Sequence, residues 1–257
     1  MLPFEVLVIA YLAFFVLAAL FARVERRMKM ATALGAASIA AGVCIATQIL
    51  PLEARLWLGF LYIAVGYWTP VPLVPARRGG AFEAWLRRSD EAMRRRAGAG
   101  VPQWLAAVME LGYLACFPMV PVAFAAVWMA GSPADVARYW LAVLAAGYAC
   151  YITLPWFVSR PARFIDGGGA DAGLTAFSRA NRYVLGRVSH HLNTFPSGHV
   201  AVSVAAALSV ARVWPAAGVV LGAVAAAVAV GAVAGRYHYV ADAALGAGVG
   251  AAAAALS

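Results

Sequence analysis

The chain has 257 residues, of which 64% are hydrophobic and only 12% charged, and its formal net charge is +9. Soluble domains carry about 25% charged residues, so the composition excludes a soluble fold and predicts an all-α, polytopic integral membrane bundle. The basic excess does not point to nucleic acid, because the arginines cluster in short loops between apolar segments, where topology and anionic headgroups account for them.

Eight transmembrane helices are expected, at roughly 4–22, 31–50, 56–75, 102–130, 137–158, 198–213, 216–234 and 239–256. Glu5 stands where a signal peptide carries positive charge, and the basic cluster Arg23–Lys29 follows the apolar run instead of preceding it. An uncleaved first helix is the expectation. In residues 76–101, Phe82, Trp85, Leu86 and Met93 recur at helical spacing among Arg87, Arg88, Arg94, Arg95 and Arg96. This predicts an interfacial amphipathic segment whose arginines meet headgroups. The division that follows is 1–75 for N-terminal membrane helices, 76–101 for the interfacial segment and 102–257 for the remainder.

The fourth span contains Pro118 and Pro121 and is expected to kink or divide. Residues 159–197 form the longest polar loop, with Gly167-Gly168-Gly169 as a flexible tip that lacks the lysine and Ser/Thr of a phosphate-binding P-loop. Trp214-Pro215 splits the sixth span from the seventh as a tight turn. Gly218/Gly222, Gly231/Gly235 and Gly246/Gly250 are spaced for close helix packing in lipid. Cys44, Cys116 and Cys150 each lie in an apolar stretch, far apart, and read as buried small hydrophobes.

Loops one and three carry eleven basic residues (Arg23, Arg26, Arg27, Lys29; Arg77, Arg78, Arg87, Arg88, Arg94, Arg95, Arg96), against three in the even loops (Arg55, Arg138, Arg212). The positive-inside rule then places odd loops, and with them every candidate site residue, on the cytoplasmic side.

Chemistry concentrates near the C-terminus. Phe195-Pro196-Ser197-Gly198-His199 opens a long apolar run, so it reads as a helix N-terminus whose free N–H groups suit an anion. Arg236-Tyr237-His238 follows later, and His238 and Asp242 are four apart, on one helical face, where a carboxylate can accept the imidazole N–H. Arg160-Pro161 lies upstream. An ionisable residue at membrane depth, such as Asp242, is costly without a function. Glu110, alone in the fourth span, is read either as a partner for a site arginine or as an interface residue. His190-His191 reads as polar residues at the loop–membrane boundary, since neighbours on a helix do not face each other.

Asn193-Thr194-Phe195-Pro196-Ser197-Gly198-His199, followed by His238-x-x-x-Asp242 and preceded by Arg160-Pro161, resembles the type 2 phosphatidic acid phosphatase (PAP2) superfamily. The wording is most similar to its membrane branch of inositolphosphotransferase-like proteins. The resemblance covers about residues 100–257 and implies a six-helix catalytic core. It also implies a phosphohistidine mechanism without metal or other cofactor. His238 would be the nucleophile, Asp242 its orienting carboxylate and His199 the general acid. Arg160, Ser197 and the Gly198 N–H would bind phosphoryl oxygens. The family's first motif places lysine where Thr153 stands, and its third places arginine where Ala232 stands; Arg236 is the proposed substitute, with Arg163, Arg179, Arg182 and Arg187 as further candidates.

The expected activity is therefore cleavage of a lipid phosphate or diphosphate by an integral enzyme, with a bacterial inner membrane as the expected location and membrane lipids as partners. Transfer of a phospho-headgroup to another lipid is the alternative within enzymes. A non-catalytic lipid-binding or transport protein on the same scaffold is the alternative from another class. Neither the particular lipid nor the oligomeric state is legible.

Overall fold

The computed structural model describes residues 1–75, 80–97, 102–165 and 175–257. The side chains of 93–97 and of Phe164 lie outside that description, so the Gly167–Gly169 tip, Arg77, Arg78, Met93 and Arg94–Arg96 are not placed. Every regular element among the described residues is a helix.

Helices α1 (Pro3–Phe21) and α2 (Arg26–Ile49) form an N-terminal pair. The third expected span is broken into α3 (Leu52–Trp57), α4 (Gly59–Trp68) and a 3-10 turn at Val71–Leu73. The fourth divides at Ala115 into α6 (Gln103–Leu114) and α7 (Cys116–Ala130), bent by 50°. The break has a local cause. Pro118 has no N–H for the carbonyl four residues back, at Leu114, and its ring clashes there. Four stretches are long and apolar enough to cross a membrane, or five with the bent pair. Helices α11 (Gly198–Val213) and α13 (Val240–Leu256) are apolar but shorter. The eight expected segments thus all appear as helical stretches, while fewer than eight qualify as full spans.

Helix starts follow the local sequence. Ser132-Pro133-Ala134-Asp135 caps α8 (Pro133–Tyr151): the Ser132 N–H donates to Asp135 Oδ2 at 2.8 Å, and Asp135 N–H donates back to Ser132 Oγ at 3.3 Å. Pro215 supplies the first position of α12 (Pro215–Ala234), where a missing N–H costs nothing.

Helix α8 is the central post of the bundle. It packs against α1, α4, α11 and α13, and its Tyr139, Trp140 and Leu144 are fully buried. In a bilayer, lipid tails are as apolar as leucine, so close packing and hydrogen bonds must hold helices together. Both are present. Tyr148 OH donates to Tyr62 O and Tyr11 OH to Gly66 O, each at 2.8 Å, while the Tyr11 and Tyr148 rings stack at 4.0 Å. These contacts tie the N-terminal helices into one core with the later ones. Gly246 and Gly250 let α13 lie on the N-terminal turn of α11; a Cβ on Gly246 would meet Ser197 O at 2.6 Å. That approach sets His199 and His238 side by side.

At the opposite end, Arg55 donates to both oxygens of the fully buried Glu5, at 2.8 and 2.5 Å. Arg212 donates to Ala254 O and Ser257 O.

Candidate active site

Helix α13 begins immediately after Tyr239, so the His238 and Asp242 side chains bracket its first turn. His238 Nδ1 lies 3.0 Å from Asp242 Oδ2, and both groups are buried. A carboxylate there accepts the Nδ1–H and leaves Nε2 with its lone pair free of protein carboxylates. Nε2 faces His199 Nδ1 at 3.4 Å. The three sequence-predicted catalytic residues are therefore brought together as one chain of groups, Asp242–His238–His199.

A cavity of about 490 Å³ opens over the two histidines, lined in part by Tyr113, Phe117, Tyr151, Thr194 and Tyr237. That is the size range of pockets that hold small organic ligands. His191, with φ of 60°, and Arg187 also line it. The His190 ring stacks on Tyr67 at 4.3 Å, and its Nδ1 accepts from Leu192 N–H. Of the histidine pair, His191 lines the cavity, while His190 packs on Tyr67, which also lines it.

The phosphate-binding candidates are placed differently from one another. Ser197 caps α11, its Oγ accepting from Val200 N–H at 3.5 Å, and it is fully buried. Gly198 lines the cavity, and its N–H donates to Thr194 Oγ1 at 3.0 Å. A side chain at 198 would run into the Tyr151 ring, 2.6 Å from an ideal Cβ, so only glycine fits there. Arg160 turns away from the cavity. Its Nη2 donates to Glu83 Oε1 at 3.0 Å, and its backbone N–H donates to Glu83 Oε2 at 2.9 Å. Arg236 has φ of 60° and its carbonyl accepts from Arg163 N–H; its side chain is not among the cavity lining. Among the described residues, Arg187 is the arginine that lines the cavity, with its guanidinium over the Tyr183 ring at 3.6 Å.

The two departures from the family motifs are structurally filled. Thr153 Oγ1 lies 2.6 Å from Phe195 O and 2.7 Å from Cys150 O, bracing the loop before Pro196. Ala232 is fully buried, and its carbonyl accepts from both Tyr237 N–H and His238 N–H at 2.9 and 3.0 Å. That pair of bonds sets the turn that presents His238.

Two acidic anchors support the site. Glu110, on α6, is buried and accepts from Arg163 Nη1 at 3.2 Å, Asn181 Nδ2 at 2.8 Å and Tyr237 OH at 2.6 Å. Of its two sequence readings, the partner of an arginine is the one the structure shows. Tyr237 stacks on Tyr113 at 3.9 Å, which carries this network to the residue beside His238. The second anchor is α5 (Ala81–Ala97). Glu83, Leu86 and Asp90 lie on one face of it and are all buried, with Asp90 accepting from Val240 N–H at 3.3 Å. Burial raises the Glu83 carboxyl, but the Arg160 hydrogen bonds and charge outweigh it, leaving Glu83 below the usual carboxylate range. The helix expected to lie on the membrane thus docks over the site with one face.

Sequence reasoning passed over Glu83, Asp90, Asn181 and Tyr237. The spacing 83–86–90 was the available signal for α5, hidden among arginines. Among the described residues, no group of three or more His, Cys, Asp or Glu could hold a metal ion.

A sequence profile of the PAP2 superfamily matches residues 81–256, from the first residue of α5 to the last turn of α13. The chain belongs to the PAP2 superfamily, which brings with it a phosphatase-type function and an integral membrane setting for the apolar helices. Comparison with curated proteins and with solved structures finds no match.

Proposed function

We propose that the protein cleaves a lipid phosphate or diphosphate through a phosphohistidine on His238. The observation that carries this reading is the Asp242–His238–His199 chain, at 3.0 and 3.4 Å, under a cavity of about 490 Å³. His238 Nε2 attacks phosphorus as the leaving oxygen departs in line, and a proton on His199 goes to that oxygen. Water, deprotonated by His199 in return, then attacks the phosphohistidine and releases phosphate. The two rings must part for phosphorus to enter between them, since 3.4 Å is a direct nitrogen–nitrogen contact. Asp242 holds the tautomer and favours the positive ring as the N–P bond forms.

Phosphoryl oxygens need positive partners because charge stabilisation supplies most of the catalysis. Arg187, which lines the cavity, is one source, and Arg160, Arg236, Ser197 and Gly198 complete the set when the site closes on substrate. The second reading is transfer of the phosphoryl-bearing headgroup to an alcohol, which the sequence resemblance to inositolphosphotransferase-like proteins suggests. The cavity favours it to this extent: it is larger than a phosphate requires and leaves room for an acceptor.

The test is a screen of lipid phosphates with the purified protein, with mass-spectrometric detection of both products and His238→Ala as the control. Release of free phosphate that depends on His238 supports hydrolysis. A phosphorylated acceptor with little free phosphate supports transfer. Absence of either product across the screen favours a non-catalytic lipid-binding protein.

A further inference from the structure

The wall of the cavity facing α4 is built by residues that precede the family match. Ile63, Ala64, Tyr67 and Trp68 all line it. On the far side of that wall lies a second hollow of about 380 Å³, between α2 and α4. Its α2 side is Ala31, Gly35, Ala36 and Ile39, and its α4 side includes Leu61 and Val65. Ala64 and Trp68 line both spaces, so the catalytic cavity and the groove share a partition of two side chains. Thr69, at the groove's upper end, spends its hydroxyl on Val65 O at 2.7 Å.

The groove has a definite depth. Ala31 follows the basic residues Arg26, Arg27 and Lys29, which belong at headgroup level. From Ala31 to Ile39 a helix rises about 12 Å, close to the ~15 Å half-thickness of a hydrocarbon core. Helix α2 packs on α1 and on the 3-10 turn at Val71–Leu73, and the groove stays open between it and α4.

We infer that this groove seats the hydrocarbon chain of the substrate, leaving the phosphate in the cavity beside His238 and His199. The inference rests on the reading of the substrate as a lipid phosphate, and it assigns chain selection to α2 and α4, outside the family core. A chain leaving the cavity past Ala64 and Trp68 enters a slot of matching polarity that ends near the bilayer midplane. The groove adds no large transfer energy, because the competing environment is lipid of equal apolarity. Its effect is orientation: it fixes the direction in which the phosphoryl group meets His238. Selectivity then comes from shape, through clashes with chains that do not fit.

Filling the groove tests this. A Cβ at Gly35 meets nothing within 4 Å, and Leu61 is exposed, so Gly35→Phe and Leu61→Trp enlarge opposite walls without touching the core. Turnover of dioleoyl phosphatidate in mixed micelles and of para-nitrophenyl phosphate in water is compared for each variant. The expected result is a loss of about tenfold in kcat/KM for the long-chain substrate, the scale of an overpacked site. The water-soluble ester should stay within about twofold of wild type. Unchanged long-chain turnover in both variants overturns the inference, as does an equal loss on both substrates. A phosphatidate carrying a diazirine in its chain gives a second readout that needs no turnover. Cross-links on Ala31–Ile39 or Leu61–Trp68 support the groove, and cross-links confined to other helices overturn it. If the wild type releases no phosphate, the phosphatase reading fails while the cross-link still decides the chain's path.

Discussion

Arg160 and Glu83 hold each other through three hydrogen bonds, two from the guanidinium and one from the Arg160 backbone N–H, across 77 residues of sequence. The arginine expected from the sequence resemblance to bind phosphate is thereby turned toward α5, with its guanidinium on a carboxylate. The Arg160 side chain is 43% exposed, so the pair contributes on the order of 1 kcal/mol or less. A dianionic phosphate competes readily against a bond of that strength.

Glu83→Gln should therefore lower KM for lipid phosphate by about two- to fivefold with kcat little changed, because the competing charge is gone. Steady-state kinetics check it. The pH dependence has a defined sign. Glu83 is lowered in the folded protein, so its contribution to docking α5 is complete above the ordinary carboxylate value, ~4.3, and is lost as pH falls through the lower folded value. The acid dependence of α5's protease sensitivity should be weaker in Glu83→Gln, whose amide does not titrate, with the helix slightly more sensitive than wild type at neutral pH.

The Glu110 carboxylate accepts from three different residues, Arg163, Asn181 and Tyr237. Removing one partner of a buried charge pair costs about 3–5 kcal/mol, since the other charge is left uncompensated. Glu110→Ala should lower thermal stability by this order. Arg163→Met/Glu110→Leu together should recover much of the loss, because neither charge then remains buried. Thermal unfolding in detergent measures both. A double variant no better than the single would show that Asn181 and Tyr237, and not Arg163, carry the network.

The phosphate clamp is expected to come from Arg187 before Arg236. Arg187 lines the cavity, whereas the Arg236 backbone is committed to Arg163. Arg187→Gln should reduce kcat/KM by about 10²-fold, the scale for loss of one donor to developing charge. Arg236→Gln should reduce it less. A larger loss for Arg236 would mean the loop rearranges on substrate to bring the motif substitute into place.

The site and the basic loop Arg23–Lys29 lie at one end of the bundle, since Arg23 shares a hollow with Leu73, Pro155 and Trp156. At the other end Arg55 is buried against Glu5, and Arg212 is engaged by the C-terminal carbonyls. The positive-inside rule then predicts a cytoplasmic site. In a cysteine-free background, Ala134→Cys should be labelled by a membrane-impermeant reagent in intact cells and Glu25→Cys should not. The reverse pattern would place the site on the outer face.

The Asp242–His238 pair was legible from its four-residue spacing, but not by the route expected: His238 lies in the turn before α13, which begins at Val240, and meets Asp242 across the helix start and not along one helical face. The break at Ala115 was legible in kind, since Pro118 dictates a defect, although only the structure shows it three residues before the proline. Glu83 and Asp90 were not legible. In a run of arginines an acid reads as part of a solvated face, and nothing local reveals that residues 77 and 150 positions further along meet them. His191 and Tyr67 were missed for the same reason: the cavity rim is assembled from three separate connections. The hollow between α2 and α4 is a property of helix placement, and both helices read only as apolar.

The central claim is that His238 carries the phosphoryl group. The direct measurement is rapid mixing of the purified protein with a phosphate-labelled lipid phosphate, quenching in alkaline denaturant to preserve phosphohistidine, and locating the label by peptide mass spectrometry. The account predicts label on His238 at a burst matching enzyme concentration, none in His238→Ala, and a burst slowed by about 10³–10⁴-fold in Asp242→Asn, where the tautomer is no longer held. Label on His199, or steady phosphate release with no labelled histidine at any time point, would contradict it.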